Sequence, residues 1–219
     1  MAEPLKDLQD RLTAARSQEP IRVKVDVEIR HRGTAPLHLS DAKLRGRVLV
    51  DADPRGVHMW EQKSSSWGSS ENIPRQLLAE DDARALVDPA GWLGVFLTES
   101  TLVEEKESSW EGKPARLLVV RPPDLPVELE VGKTSKEGEP LPVVYETKIW
   151  LGPDGLPLAL ERTALLRLPG LETTQHQSLT FQQAGGRLLV AQSTETFSGS
   201  LQTGMRGGSD TKKMKVTVE

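Results

Sequence analysis

The sequence predicts an α+β protein built on a single curved antiparallel sheet, with helices covering or filling its concave face. Residues 21–30 alternate aliphatic and charged side chains without a break, and similar alternation returns in many later segments. Helical spacing is confined to residues 4–17 and to the stretch between 74 and 98. A sheet of about ten strands cannot stay flat, because neighbouring strands twist by roughly 20° relative to one another. The sheet must therefore curl around apolar side chains.

The composition of the chain excludes several classes of protein. The 219 residues include 32 acidic and 28 basic ones, with no basic block and few aromatics. We therefore expect no nucleic-acid partner, since such binding needs a basic surface and usually stacking aromatic side chains. No stretch approaches the roughly 18 apolar residues of a membrane span. Cysteine is absent, which excludes disulfides and thiolate chemistry. The length fits one domain, residues 1–219, and we expect a monomer.

Residues 21–30 form the strand around which the rest of the sheet is arranged. Val23, Val25 and Val27 fall on one face of this strand, and the charged residues between them fall on the other. A strand with one wet face belongs to an antiparallel sheet, because buried parallel strands are apolar on both faces. A slip of one residue would bury every charge, so the register is strongly fixed.

The first third of the chain combines one helix with several strands. Residues 4–17 carry leucines on one face and predict a short amphipathic helix, which Pro20 ends. We predict a strand pair over residues 37–52 and a short strand over residues 56–61. The serine-rich run at residues 64–70 predicts a mobile surface loop, because it has no apolar period with which to offset the cost of ordering.

Two helices are predicted in the middle of the chain. Apolar residues at helical spacing predict the first over residues 74–87, and the apolar stretch 92–97, after Asp88 and Pro89, predicts the second. The second is apolar nearly all round and must be enclosed. We expect both helices to fill the concave face of the sheet. Complete filling gives an ordinary core, and incomplete filling leaves a hydrophobic cavity.

The remainder of the chain predicts strands. Turn signals at residues 152–155 and 184–186 place two hairpins, since glycine, proline and aspartate favour tight turns. The predicted strands cover residues 117–121, 127–131, 143–151, 156–168, 179–181, 188–197 and 213–218.

In this order of elements the chain resembles the periplasmic carrier superfamily that includes LolA, LolB, RseB and the mycobacterial lipoproteins of the LppX and LprG type. The resemblance covers nearly the whole chain. The matching features are the helix 5–15, the strand 21–30, the strand 48–54 that runs into a proline loop, Trp60, the helix opening at Asp88 and Pro89 with Gly91, Leu93 and Phe96, the turn 111–113 and the stretch 149–157.

This resemblance implies an unclosed half-barrel that encloses a hydrophobic cavity. It also implies a noncatalytic protein located in the periplasm or elsewhere outside the cytoplasm. The start at Met1, Ala2 and Glu3 directly before a helical pattern is compatible both with a chain from which an export signal or lipid anchor has been trimmed and with one that never carried either. LolA-type carriers have an Arg-Pro pair where this chain has Asp53 and Pro54. This difference argues against lipoprotein release of the LolA kind and leaves lipid carriage or an interaction role open.

Two functions are consistent with these expectations. The first is carriage of a lipid, a glycolipid or the acyl chain of a lipoprotein in an apolar cavity. The second is an interaction or sensor domain of the RseB type with a filled interior, which docks an envelope or membrane protein through the segments around Trp67 and 199–210. The candidate cavity residues are Val23, Val25, Val27, Val48, Val50, Trp60, Trp92, Val95, Phe96, Leu97, Trp150 and Leu158.

The sequence offers no set of residues typical of catalysis or metal binding. The four histidines are scattered, and none has the spacing of a metal site. Gly132, Lys133 and Thr134 resemble the end of a phosphate-binding loop, but Val127 stands where its first glycine belongs. The chain also lacks the nucleophile elbow of serine hydrolases. We therefore expect no enzyme activity, no metal and no cofactor.

Overall fold

Ten strands and three helices make up the part of the chain that the computed structural model describes, which comprises residues 2–17, 19–32, 41–67, 77–122, 143–168, 171–201 and 208–219. In chain order they are α1 (Glu3–Ala14), β1 (Ile21–Arg32), β2 (Ala42–Asp53), β3 (Gly56–Trp67), α2 (Glu80–Val87), α3 (Pro89–Glu99), β4 (Thr101–Trp110), β5 (Lys113–Arg121), β6 (Val143–Leu151), β7 (Pro157–Leu168), β8 (Leu171–Ala184), β9 (Arg187–Leu201) and β10 (Ser209–Val218).

All ten strands belong to one antiparallel sheet with the order β3-β2-β1-β10-β9-β8-β7-β6-β5-β4. Because β1 pairs with both β2 and β10, the first and last strands of the chain are neighbours inside the sheet. The edges are β3 and β4, which follow each other in sequence but are separated by the whole width of the sheet. Helices α2 and α3 connect these edges. The fold is therefore an unclosed half-barrel, as the sequence and the resemblance predict.

The strand at residues 21–30 has the predicted register. Val23, Val25 and Val27 are all buried, on the face that the helices cover. Val25 lies opposite Val48 on β2 and Val216 on β10. The charged residues between these valines point to the outer face of the sheet.

The three helices pack against the concave face and contribute to one apolar core. Leu5, Leu8 and Leu12 of α1 and Leu93 and Leu97 of α3 are almost fully buried there. Each such leucine stabilises the fold by roughly 1.5 to 3 kcal/mol relative to an exposed position. Helix α3 is therefore buried on the face that carries Leu93 and Leu97, but Val95 on its other face is 71% exposed. The prediction that this helix is enclosed on all sides is wrong, because α3 covers the sheet and, among the described residues, no layer packs on its outer side.

The start of α3 and its contact with α1 depend on a few polar groups. The Asp88 side chain caps α3 by accepting a hydrogen bond from the Gly91 backbone nitrogen at 3.0 Å. Gln9 of α1 donates to the carbonyl oxygen of Gly94 at 2.9 Å. The first bond fixes where α3 begins, and the second joins α3 to α1.

A second, smaller cluster of apolar residues lies on the outer face of the sheet. It contains Ala115, Leu117, Val119, Trp150 and Ala159, with Trp110 and Leu158 packed against it. The rings of Trp110 and Trp150 are 4.8 Å apart between centroids. The outer face is thus wet near β1 but partly apolar around β5 and β6.

Several elements differ from the sequence prediction. The serines at residues 64–66 lie in β3 and not in a mobile loop, because the backbone of β3 pairs with that of β2. The predicted strand pair over residues 37–52 is the single strand β2, although residues 37–40 lie outside the described part. Strand β4 was not predicted at all.

Two further predictions fall partly or wholly on residues outside the described ranges. Helix α2 begins at Glu80, and Leu77 and Leu78 are buried in the bend before it. Residues 74–76, with which the predicted helix begins, lie outside the described residues, as does the predicted strand at residues 127–131. The turn at residues 152–155 is confirmed, with Gly155 at a positive φ of 77°.

Candidate functional site

Eight of the twelve predicted cavity residues come together on the concave face of the sheet. Six of them are buried in the main core, and Trp92 and Phe96 are partly buried against it. The six buried residues are Val23, Val25, Val27, Val48, Val50 and Leu97.

The other four predicted residues are not part of this group. Trp150 and Leu158 belong to the apolar cluster on the outer face. Trp60 is 49% exposed and lies opposite Leu49, whose neighbours Val48 and Val50 point into the core. Val95 is 71% exposed on α3. These four side chains and the buried valines do not share one cavity.

A cavity of about 180 Å³ lies beneath the helices, between α2, α3 and strands β7 to β10. Its apolar lining consists of Ala85, Leu86, Trp92, Leu179, Val190 and Met214. Trp92 is the one predicted residue in this lining. The predicted valines of β1 and β2 pack in the core beside the cavity and do not line it.

A row of polar residues crosses the concave face at the edge of this cavity. Strand pairing places Lys212 of β10 opposite Glu195 of β9, followed by Gln177 of β8, Arg162 of β7 and Thr147 of β6. Glu195, Gln177 and Arg162 also line the cavity. The cavity is therefore apolar towards the core and polar along one side.

Arg162 is the most unusual member of this row. Its guanidinium carbon lies 4.9 Å from the centroid of the Phe96 ring on α3, which is the geometry of a cation–π contact. Burial lowers the pKa of Arg162, although the charge of Glu195 works in the opposite direction. Sequence reasoning missed this residue. The available signal was its alternation in phase with Leu160 and Ala164 on a predicted strand.

Helix α2 forms one wall of the cavity and is held by few polar contacts. Lys212 of β10 donates to the Asp82 carboxylate. The Trp92 indole nitrogen donates to the carbonyl oxygen of Ala85 at 3.2 Å, which links α3 to α2. These contacts join the wall of the cavity to the sheet and to the neighbouring helix.

The histidines occupy separate places in the structure. His31 contacts Asp210, His58 lies near the Trp60 ring, and His176 contacts Thr163, whereas His38 lies outside the described residues. Among the residues that the structure describes, no group of acidic residues and histidines is arranged to hold a metal ion.

No helix in the described ranges has both the length and the apolar character needed to cross a membrane. The chain matches no protein-family model and no curated protein.

Proposed function

We propose that the protein is a noncatalytic binding protein of the LolA-like superfamily, acting outside the cytoplasm. Its ligand is hydrophobic, such as a lipid, a glycolipid or the acyl chain of a lipoprotein. The observation that supports this function is the cavity of about 180 Å³ between α2, α3 and the concave face. Apolar side chains from both helices and from three strands converge there.

The cavity is small for an acyl chain, so it has to widen when a ligand binds. Small-molecule pockets are typically about 300–1,000 Å³, so an acyl chain needs more room than the cavity of about 180 Å³ provides. We infer that α2 moves away from the sheet during binding, because it forms one wall of the cavity. The contact between Asp82 and Lys212 of β10 ties α2 to the sheet and would open in that movement. Each methylene that the ligand buries contributes roughly 0.8 kcal/mol.

A second candidate function is an interaction or sensor domain with a filled interior. It is favoured by the tight packing of the concave face, where Val23, Val25, Val50, Leu93 and Leu97 have no measurable exposure. In this alternative the small cavity is a packing gap, and a partner protein binds elsewhere on the surface.

Binding of a fluorescent fatty acid distinguishes the two functions. Ala85 lines the cavity and is partly exposed, so Ala85→Trp should fill the cavity without disturbing the deep core. We expect this variant to weaken probe binding by about tenfold or more, which corresponds to the loss of roughly two buried methylenes. The matched control is Val95→Trp, since Val95 is 71% exposed on the neighbouring helix.

Native mass spectrometry of the purified protein provides a second measurement. Co-purified lipid, together with probe binding that only Ala85→Trp weakens, would support the carrier function. A folded protein that carries no lipid and binds no probe would exclude it and support the interaction domain. Equal weakening by Ala85→Trp and by Val95→Trp would also contradict the proposed cavity.

A further inference from the structure

The outer face of the sheet carries a groove that the proposed function does not use. The groove has a volume of about 940 Å³ and runs across β3, β2, β1, β10 and β9. Among the described residues, seven charged ones line it, and we call these the basic groove: Arg30, Arg45, Arg47, Lys213, Lys215, Asp26 and Glu28.

Strand register arranges these charges in two parallel rows. In one row, Asp26 of β1 lies between Arg47 of β2 and Lys215 of β10. In the other row, Glu28 lies between Arg45 and Lys213. Each carboxylate on the central strand is therefore flanked by a cation on both sides.

The two carboxylates do not neutralise the cations around them. Glu28 accepts hydrogen bonds from Arg30 and Arg45, and Lys43 Nζ lies 3.6 Å from it. Asp26 accepts from Arg47 at 2.7 Å. Five cations against two acids leave the basic groove with a surplus of three positive charges, whereas the whole chain carries a net charge of −4.

Lys213 and Lys215 contribute most directly to this surplus. Both are exposed, and within the described residues neither forms an ion pair of the kind seen for Arg45 and Arg47. Burial raises the pKa of Glu28, but hydrogen bonds from Arg45 and Arg30 outweigh it and hold that pKa below its usual value. Glu28 therefore stays ionised near neutral pH and keeps its arginines oriented across the strands.

We propose that the basic groove is a docking site for an acidic segment of a partner protein. Along β2 and along β10 the cations occupy every second residue, a repeat of roughly 6.8 Å. Side chains on one side of an extended peptide have the same repeat, so successive carboxylates can each meet a cation. Ser65, Gln192 and Thr194 add neutral hydrogen-bonding groups to the lining.

The lining favours a peptide over other polyanions. No aromatic side chain is among the described residues that line the groove, whereas single-stranded nucleic acids are usually held by stacking. The two large apolar residues in the lining, Val27 and Met214, are buried. They therefore give the groove no anchor for insertion into a bilayer.

A labelled peptide of ten glutamates tests this site by fluorescence anisotropy. We expect Lys213→Gln combined with Lys215→Gln to weaken binding by about tenfold and to reduce its salt dependence. The matched control combines Lys6→Gln with Lys113→Gln, which removes the same charge from exposed positions on α1 and β5. Asp26→Asn should act in the opposite direction and tighten binding, because it releases Arg47.

Two outcomes would overturn the proposal. One is equal weakening in the groove variant and in the control variant, which would mean that only net charge matters. The other is binding to phosphatidylglycerol vesicles without binding to the peptide, which would assign the groove to a membrane surface. The result of this peptide experiment does not depend on whether the cavity binds fatty acid, since the groove and the cavity lie on opposite faces of the sheet.

Discussion

Arg162 shows how a single residue changes the character of the concave face. It stands in phase with Leu160, which is fully buried, yet it brings a guanidinium group under α3. A buried charge is costly unless other groups compensate it. Here the Phe96 ring and the charge of Glu195 offset only part of that cost, since burial still lowers the pKa of Arg162. The sequence predicts which face Arg162 occupies, but its burial depends on α3, which lies far away in the chain.

At the same scale, Asp51 makes the stability of the sheet depend on pH. Arg22 donates two hydrogen bonds to its carboxylate, at 2.6 and 2.7 Å, and these lower the pKa of Asp51. A lowered pKa in the folded state stabilises the fold above the unfolded-state value of about 3.9. This contribution is lost as the pH falls from about 3.9 through the folded-state pKa.

We therefore expect Asp51→Asn to lower the free energy of unfolding at pH 7 and to have a smaller effect at pH 3. Urea denaturation at the two pH values measures the difference. Asp10→Asn is the control, because Asp10 is an exposed carboxylate that forms no ion pair among the described residues. An effect of Asp51→Asn that is the same at both pH values would contradict the assigned role of the Arg22 contact.

At the scale of elements, the sequence predicts those strands that bury one face. The alternation of Val23 and Val25 with charged residues predicts β1. The edge strands lack this signal. Residues 64–66 of β3 are exposed serines, and most of β4 is exposed on both faces, so neither has an apolar alternation. The backbone of β3 nevertheless pairs with β2, and that of β4 pairs with β5. The side-chain pattern of β3 or of β4 does not predict this pairing.

Helix α2 is the element whose movement the proposed function requires. Asp82 joins it to Lys212 of β10, and the Asp82 side chain is 41% exposed. Lys212 is 21% exposed, so the pair is partly buried. Ion pairs at the surface contribute about 0–1 kcal/mol, and we expect the loss of this one to loosen α2 without unfolding the protein.

We expect Asp82→Asn to speed the uptake of a fluorescent fatty acid and to increase amide hydrogen exchange within α2. Stopped-flow fluorescence and hydrogen-exchange mass spectrometry measure these two effects. Asp81→Asn is the matched control, since Asp81 is exposed on the same helix and forms no ion pair in the described part of the chain. Unchanged uptake together with unchanged exchange in α2 would argue against α2 as the moving wall.

At the scale of the whole molecule, the first and last strands meet inside the sheet. The pairing of β1 with β10 joins a block of three strands to a block of seven. The cavity depends on the same arrangement, since it combines α2 and α3 with strands up to β10. The sequence predicts a curved sheet with helices inside it. It does not predict which side chains line the cavity, because these come from elements that are distant in the chain.

The position of β10 leads to a prediction about cooperativity. Val216 is 5% exposed and lies opposite Val25, so Val216→Ala removes two buried carbon atoms at the junction of the two blocks. We expect a loss of about 1.5 to 2 kcal/mol in the free energy of unfolding. Val218→Ala on the same strand is the control and should cost less, because Val218 is 36% exposed.

The loss of stability in Val216→Ala should be the same whether unfolding is measured by circular dichroism or by tryptophan fluorescence. Urea unfolding should be followed by circular dichroism and by tryptophan fluorescence, to which Trp110 and Trp150 in β4 and β6 contribute. If the sheet unfolds as one unit, Val216→Ala shifts both transitions by the same amount, although these tryptophans lie several strands away from β10. A shift in circular dichroism without a matching shift in fluorescence would show that the sheet does not unfold as one unit.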